Sequence, residues 1–194
     1  MHLTLKTPPA AAVVTVEEAK AHLRVDEAAD DSYITALVAK ATQAAERYCD
    51  RAFITQDWVL ALDAFPSCTK LIKVPLPPLV SVTQLSYVDA DGADQVLASA
   101  DYQVSKRSPA VIAPAPGKSW PATQAGRLDA VAIEFKAGYG DAADAVPKPI
   151  HHAILLLVAH WYENREPVNI GNIVNALPFT VDSLLAPCRV WSLA

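Results

Sequence analysis

The sequence is poor in the residues on which disulfide-stapled folds and phosphate-binding loops depend. Its 194 residues include only three cysteines and six glycines. The cysteines are odd in number and form no CxxC pair, which excludes a disulfide framework and favours folding in a reducing compartment. No glycine pattern matches a nucleotide-binding loop, in which glycines at fixed spacing let the backbone approach a phosphate.

Positive charge is also scarce. Sixteen Lys and Arg stand against 21 Asp and Glu, so the net charge is −5 and the isoelectric point is about 5.5. A dedicated DNA or RNA binder usually presents a basic face, and this composition supplies none globally. It leaves open a local basic patch, or a wall that nucleic acid passes without gripping.

Long hydrophobic runs are missing as well. The strongest apolar run, residues 153–158, is far shorter than the ~20 residues that span a membrane. Residues 1–9 show no secretory pattern. We therefore expect a soluble protein that no signal peptide exports and that does not contact a membrane.

What the sequence does contain is apolar material sufficient for a folded core. Hydrophobic residues make up 52% and charged residues 19% of the chain, which excludes general disorder. A chain of this length buries roughly 70% of its unfolded surface and needs neither disulfide nor metal to hold its core.

Helical periodicity marks both ends of the chain. Thr15 with Glu18 forms a capping box that begins a helix over 16–23. Apolar residues at helical spacing predict a second helix over 32–51 and a third over 150–166, the latter begun by Pro147 and Pro149. Because their apolar stripes match, we expect the second and third helices to pack together.

Between these helices the pattern changes to alternation and turns. Strand signals occupy 56–62, 71–74, 80–88 and 130–136, residues 89–92 form a hairpin turn, and 114–126 is a long loop. These blocks predict an α+β fold: a helical bundle of N-terminal helices and a long C-terminal helix, with an inserted antiparallel β region. The predicted domains are a helical core of residues 1–54 and 147–194 and a β-rich insertion of residues 55–146.

Catalytic chemistry has weak support in the sequence. His152, His160 and Glu163 lie on the last long helix, but the two histidines are about 12 Å apart along its axis and no third ligand completes a site. No HExxH or GxSxG motif occurs. We expect no enzyme activity, catalytic residue, metal or cofactor, and keep a small metal-dependent enzyme using these three residues as the alternative.

Two groups of residues are better candidates for protein contacts. Tyr162, Glu163, Arg165 and Glu166 end the last long helix with a charged, hydrogen-bonding cluster that suits a subunit contact. Near the C-terminus an apolar tail with one arginine must be buried either on its own domain or on a partner, and the sequence leaves both open. Its candidate partner-binding residues are Leu184, Leu185, Pro187, Arg189 and Trp191, of which the tryptophan and the arginine are of the types most enriched at binding hot spots.

The order and spacing of several short segments resemble a known family. These segments are residues 14–26 with the following Asp30-Asp31, then 51–56, 75–82, 160–166 and 184–190. Together they resemble the head–tail connector proteins, also called adaptor or head-completion proteins, of long-tailed bacteriophages, prophages and gene transfer agents. One departure is Cys188, which stands where the family pattern has a tyrosine.

The resemblance implies a structural role at the head–tail junction of a virion assembled in a bacterial host. Family members form a ring, commonly of twelve subunits, beneath the portal protein; the ring extends the DNA channel and is a platform for the next neck or tail protein. The implied fold is a helical bundle with an inserted β region, and the family has no catalytic residues. An acidic chain suits a channel wall past which DNA moves without specific binding. A generic oligomeric binding module unrelated to phages is a further alternative.

Overall fold

The computed structural model describes residues 1–67, 70–165 and 179–190. The chain divides into two compact units. The β unit comprises Met1–Ala10 and Ala52–Asp141, and the helical unit comprises Ala11–Arg51 and Ala142–Ala194. Two of the predicted contact residues, Glu166 and Trp191, lie outside the described residues.

Antiparallel strands build the β unit. In chain order they are β1 (His2–Thr7), β2 (Gln56–Leu62), β3 (Ile72–Val74), β4 (Leu79–Val88), β5 (Asp94–Val96), β6 (Tyr102–Ser105), β7 (Ala110–Pro114) and β8 (Val131–Ala137). They form a five-stranded sheet in the order β1-β2-β8-β4-β5 and a three-stranded sheet in the order β3-β7-β6.

The larger sheet is centred on β8. Alternate residues of β8 from Val131 to Ala137 are buried, so one face of the sheet covers the core. Ile133 lies opposite Leu60 of β2 on one side and Leu85 of β4 on the other, and all three side chains are fully buried. The smaller sheet contributes Ile72 and Ile112, which face each other in register, to the same cluster.

The long loop predicted over 114–126 is held by an aromatic side chain. The indole of Trp120 stacks on Phe65 with ring centroids 4.8 Å apart and an interplanar angle of 8°. Its Nε1–H donates a hydrogen bond of 2.9 Å to the carbonyl of Lys70. Phe65 in turn contacts Tyr87 of β4 edge to face. The loop therefore packs on the β unit through Trp120.

Four α-helices form the described part of the helical unit: α1 (Val16–Leu23), α2 (Asp31–Cys49), α3 (Lys148–Glu163) and α4 (Phe179–Leu185). The predicted contact between the two long amphipathic helices is confirmed, because α2 packs against α3. Leu37 and Ala41 of α2 and Leu157 of α3 belong to the buried stripes. None of the described helices combines the length and apolar composition needed to cross a membrane.

The capping box at α1 is confirmed atom by atom. Thr15 Oγ1 accepts a 3.1 Å hydrogen bond from the amide of Glu18, and the Glu18 carboxylate accepts a 2.9 Å bond from the amide of Thr15. Two otherwise unpaired amides at the start of the helix are thereby satisfied.

The predicted fold class is wrong. The described residues form a mixed α/β structure with four helices and two antiparallel sheets, and they contain no bundle built around a long C-terminal helix. The longest late helix, α3, ends at Glu163, and the chain continues to α4 and the 3₁₀ turn Ala186–Cys188. Helical periodicity located α1, α2 and α3 but not α4, and it carries no information on how strands distant in sequence pair. The N-terminal strand β1, which pairs with β2, was missed for that reason.

Candidate functional site

The C-terminal segment, residues 179–190, lies on the helical unit through both side chains and backbone. Val181 and Leu185 are fully buried, and α4 contacts α3 and α2. The amide of Val190 donates a 2.9 Å hydrogen bond to the carbonyl of Cys49, and Arg51 Nε donates one of 2.5 Å to the carbonyl of Cys188. The segment is therefore attached to the C-terminal end of α2.

Side chains of Tyr48 and Arg189 add a polar contact to this attachment. The Tyr48 hydroxyl donates a short hydrogen bond to Asp182, which raises the pKa of the phenol because the neutral form is the donor. The Arg189 guanidinium lies 5.4 Å from the centroid of the Tyr48 ring, within the range of a cation–π contact.

The predicted partner-binding residues of the tail differ in burial. Leu185 is fully buried within its own unit, Leu184 is half-buried, and Pro187 and Arg189 are exposed. Of the predicted partner-binding residues, Leu184, Pro187 and Arg189 therefore contribute to the described surface of the segment. The remaining predicted residue, Trp191, lies outside the described residues.

Cys49 lies directly under this segment. Its Sγ is 3.9 Å from the carbonyl oxygen of Leu185. Burial raises the pKa of the Cys49 thiol to about 12, so the protonated, unreactive form predominates at neutral pH. Cys49 therefore acts as a packing residue, consistent with its apolar position on α2.

A second cluster, called here the Arg165 cluster, comprises Asp30, Tyr33, Tyr162 and Arg165. The Arg165 guanidinium lies 4.7 Å from the ring centroid of Tyr33 and 5.3 Å from that of Tyr162. Its Nη2 is 3.4 Å from Asp30 Oδ2, the atom that also accepts a 2.6 Å hydrogen bond from the Tyr162 hydroxyl. That bond raises the pKa of Tyr162. The cluster joins the end of α3 to the start of α2.

The structure thus brings together two of the four predicted subunit-contact residues. Tyr162 and Arg165 share the Arg165 cluster, Glu163 is exposed on α3, and Glu166 lies outside the described residues. Sequence reasoning missed Asp30 and Tyr33 as members. Asp30 occupies the N-cap position of α2, but its side chain makes no capping hydrogen bond. A partner more than 130 residues away leaves no local signal for it.

The histidines of α3 do not converge on a common site. His152 contacts His22 of α1 edge to face at 6.4 Å, whereas the ring of His160 lies near the amide nitrogen of Asn164. His152, His160 and Glu163 are all exposed. Within the described part of the chain, no three His, Cys, Asp or Glu side chains are grouped as a metal site requires.

Comparisons with known proteins agree on one class of protein. Residues 13–89 match the family model described as phage gp6-like head-tail connector protein. No curated protein gives a significant match.

Solved structures match the chain over its whole length. It is similar to a chain in the neck of an empty gene transfer agent particle computed with C6 symmetry, with a TM-score of 0.83 and 27% identity; the match covers 100% of this chain and 98% of the other. A chain in the virion of a native gene transfer agent particle gives 0.83 and 28% at the same coverage. A chain in the neck of a native particle computed with C12 symmetry gives 0.75 and 30%, again covering 100% and 98%.

Proposed function

This chain belongs to the phage head–tail connector family, and from that membership we propose that it forms a ring between the portal and the tail at the head–tail junction of a virion. The observation that carries the proposal is the full-length likeness to a neck chain, with 100% of this chain and 98% of the other covered at a TM-score of 0.83. A likeness that includes both units supports the same role for the entire chain.

The proposed ring contains twelve subunits. Necks similar in chain fold have been computed with C6 and with C12 symmetry, and a twelve-membered ring is compatible with both. Such a ring would extend the DNA channel below the portal and present a platform to the next neck or tail protein. The net charge of −5 favours passage of DNA without tight binding, because an acidic wall repels phosphate.

The enzyme alternative is not supported. The family and the similar solved structures are structural components of virion necks, and the chain is accordingly a structural protein. His152 and His160 have different neighbours in the structure, His22 and Asn164, so their placement does not support a shared metal site.

The proposed contact with the portal or a neighbouring subunit lies on the C-terminal segment. Because Leu185 anchors the segment inside its own unit, the outward contact falls to Leu184, Pro187 and Arg189 among the described residues. Trp191, outside the described residues, stays a predicted member of this contact. The exposed side of the Arg165 cluster, together with Glu163 and Glu166, is the proposed second subunit contact. Internal fixation by Asp30 and the two tyrosines holds Arg165 in one orientation, which lowers the entropy lost on binding.

Paired variants test the C-terminal contact. Leu184→Ser with Arg189→Glu changes its outer surface and leaves the buried Val181 and Leu185 in place. Lys40→Glu, on the exposed face of α2, is the control for the charge reversal. We expect the double variant to keep its circular dichroism spectrum and to lose co-sedimentation with portal particles, while the control retains both. Normal co-sedimentation by the double variant would place the portal contact elsewhere.

A further inference from the structure

The two hairpins of the β unit carry opposite charge. The hairpin of β4 and β5, residues 79–96, contains three aspartates and neither Lys nor Arg. The hairpin of β6 and β7, residues 102–114, contains Lys106 and Arg107 and neither Asp nor Glu. The chain is acidic overall, with a net charge of −5, so its composition does not predict a hairpin that carries only positive charge.

The acidic turn, defined as Asp89, Asp91 and Asp94, is held rigid from within. Asp89 Oδ1 accepts hydrogen bonds from the amides of Asp91 (3.0 Å) and Ala93 (2.9 Å), and its Oδ2 accepts one from the side chain of Gln95. Asp89 is thereby used to build the turn. Asp91 and Asp94 are exposed and extend the negative charge into solvent.

A shallow groove continues from the acidic turn. Its volume is about 280 Å³, and its lining includes Asp94, Val96, Arg127 and Asp129. Val96 is 65% exposed, so the groove offers an apolar contact beside the charges. Asp94 and Asp129 outnumber the single Arg127, and this side of the unit remains negative.

The basic tip is defined as Lys73, Lys106 and Arg107, all exposed. Lys73 of β3 and Ser105 of β6 both lie opposite Val111 of β7, which puts them on the same face of the small sheet. Two strand spacings separate them, or about 10 Å. Lys106 and Arg107 follow Ser105 directly, so all three cations are at one end of the sheet. Val104, 37% exposed, precedes Ser105 in β6 and lies on the opposite face of the small sheet.

We propose that the basic tip of one subunit docks on the acidic turn and groove of the next copy of this chain, an inference that rests on the proposed ring. A closed ring of identical subunits joined head to tail needs two different, mutually complementary patches on each subunit. These two patches meet that requirement in sign of charge, because the tip carries three exposed cations and the turn carries the exposed Asp91 and Asp94. Binding of DNA phosphate to the tip would leave the acidic turn and its groove without a role.

Charge reversal in two complementary variants tests this contact. The first carries Lys106→Glu and Arg107→Glu, and the second carries Asp91→Lys and Asp94→Lys. Each places like charges at every junction, so we expect assembly at least about tenfold weaker than that of the wild type. A 1:1 mixture of the two should recover rings by alternating the variants, because every junction is then complementary again. Native mass spectrometry and negative-stain electron microscopy measure assembly of each variant alone and of the 1:1 mixture.

Controls separate this contact from general charge effects and from the ring itself. Two control variants, Lys40→Glu with Lys148→Glu and Asp26→Lys with Asp141→Lys, change the net charge by the same amounts at exposed positions elsewhere and should leave assembly intact.

Rings formed by both test variants alone, or no recovery in the mixture of two folded variants, would overturn the inference and leave the proposed function standing. Loss of DNA retention with the ring intact would assign the tip to nucleic acid and also overturn it. A wild-type chain that stays monomeric even with portal present would contradict the proposed function, and the inference with it.

Discussion

The helical unit and the β unit differ in how much of their architecture the local spacing of residues predicts. In the helical unit, the buried stripe of α2 repeats every three or four residues, and that period is visible in the sequence. In the β unit, β2 pairs with β1 from the N-terminus and with β8 more than 70 residues later. Local spacing therefore predicts α1, α2 and α3 and the contact of α2 with α3, whereas the strand order of the β unit depends on pairings that no local pattern specifies.

The largest effect is expected at the centre of the β unit. Phe135 of β8 is 1% exposed and belongs to the core cluster of both sheets. Phe135→Ala should lower the free energy of unfolding by about 3–5 kcal/mol, because it leaves a cavity in the core cluster that the two sheets share. Urea denaturation measures the loss. The next residue supplies the control: Lys136 forms a surface ion pair with Asp57 at 3.1 Å, and Lys136→Ala should cost less than about 1 kcal/mol. Equal losses would show that β8 is not the centre of this core.

The corresponding position in the helical unit is Leu157 of α3, which is fully buried against its neighbours. Leu157→Ala should cost about 2–5 kcal/mol. Leu156→Ala removes the same atoms from a half-buried site one residue away and should cost clearly less. A loss below 1 kcal/mol for Leu157→Ala in denaturant melts would contradict the assignment of α3 to the core of this unit.

A smaller effect is expected at the start of α1, where local sequence alone determines the structure. Thr15→Ala removes the side-chain acceptor of the capping box and should cost about 1 kcal/mol. Thr35→Ala is the matched control, since Thr35 is exposed within α2 and its hydroxyl donates only to the carbonyl of Asp31. Its expected change is within about 0.5 kcal/mol. Thermal and urea unfolding compare the two variants, and equal effects would show that the cap adds no stability.

The smallest effect is a pH dependence at the same cap. The amide of Thr15 donates to Glu18 and lowers the pKa of that carboxyl below its ordinary value of 4.5. A lowered folded-state pKa contributes stability above the ordinary pKa, and this contribution disappears as the pH falls through the folded value. Wild-type protein should therefore lose slightly more thermal stability below pH 4.5 than Glu18→Gln does. Parallel pH profiles for the two proteins would contradict this role of Glu18.

The sequence predicted more of the helical unit than of the β unit. The capping box, the bounds of α1 and the contact of α2 with α3 came from local spacing. The two-sheet topology and strand β1 did not, because pairings such as His2 with Ala61 depend on the folded chain. Among the contact residues, Tyr162 and Arg165 were found as neighbours on one helix end. Asp30 and Tyr33 were missed because their link to that end exists only in three dimensions.

Electron microscopy of the purified chain mixed with its portal measures directly whether this chain forms a connector ring. We expect a ring of twelve copies coaxial with the portal, with the C-terminal segment at the contact. Portal particles without added density, together with a single-chain mass for the protein in solution, would contradict it.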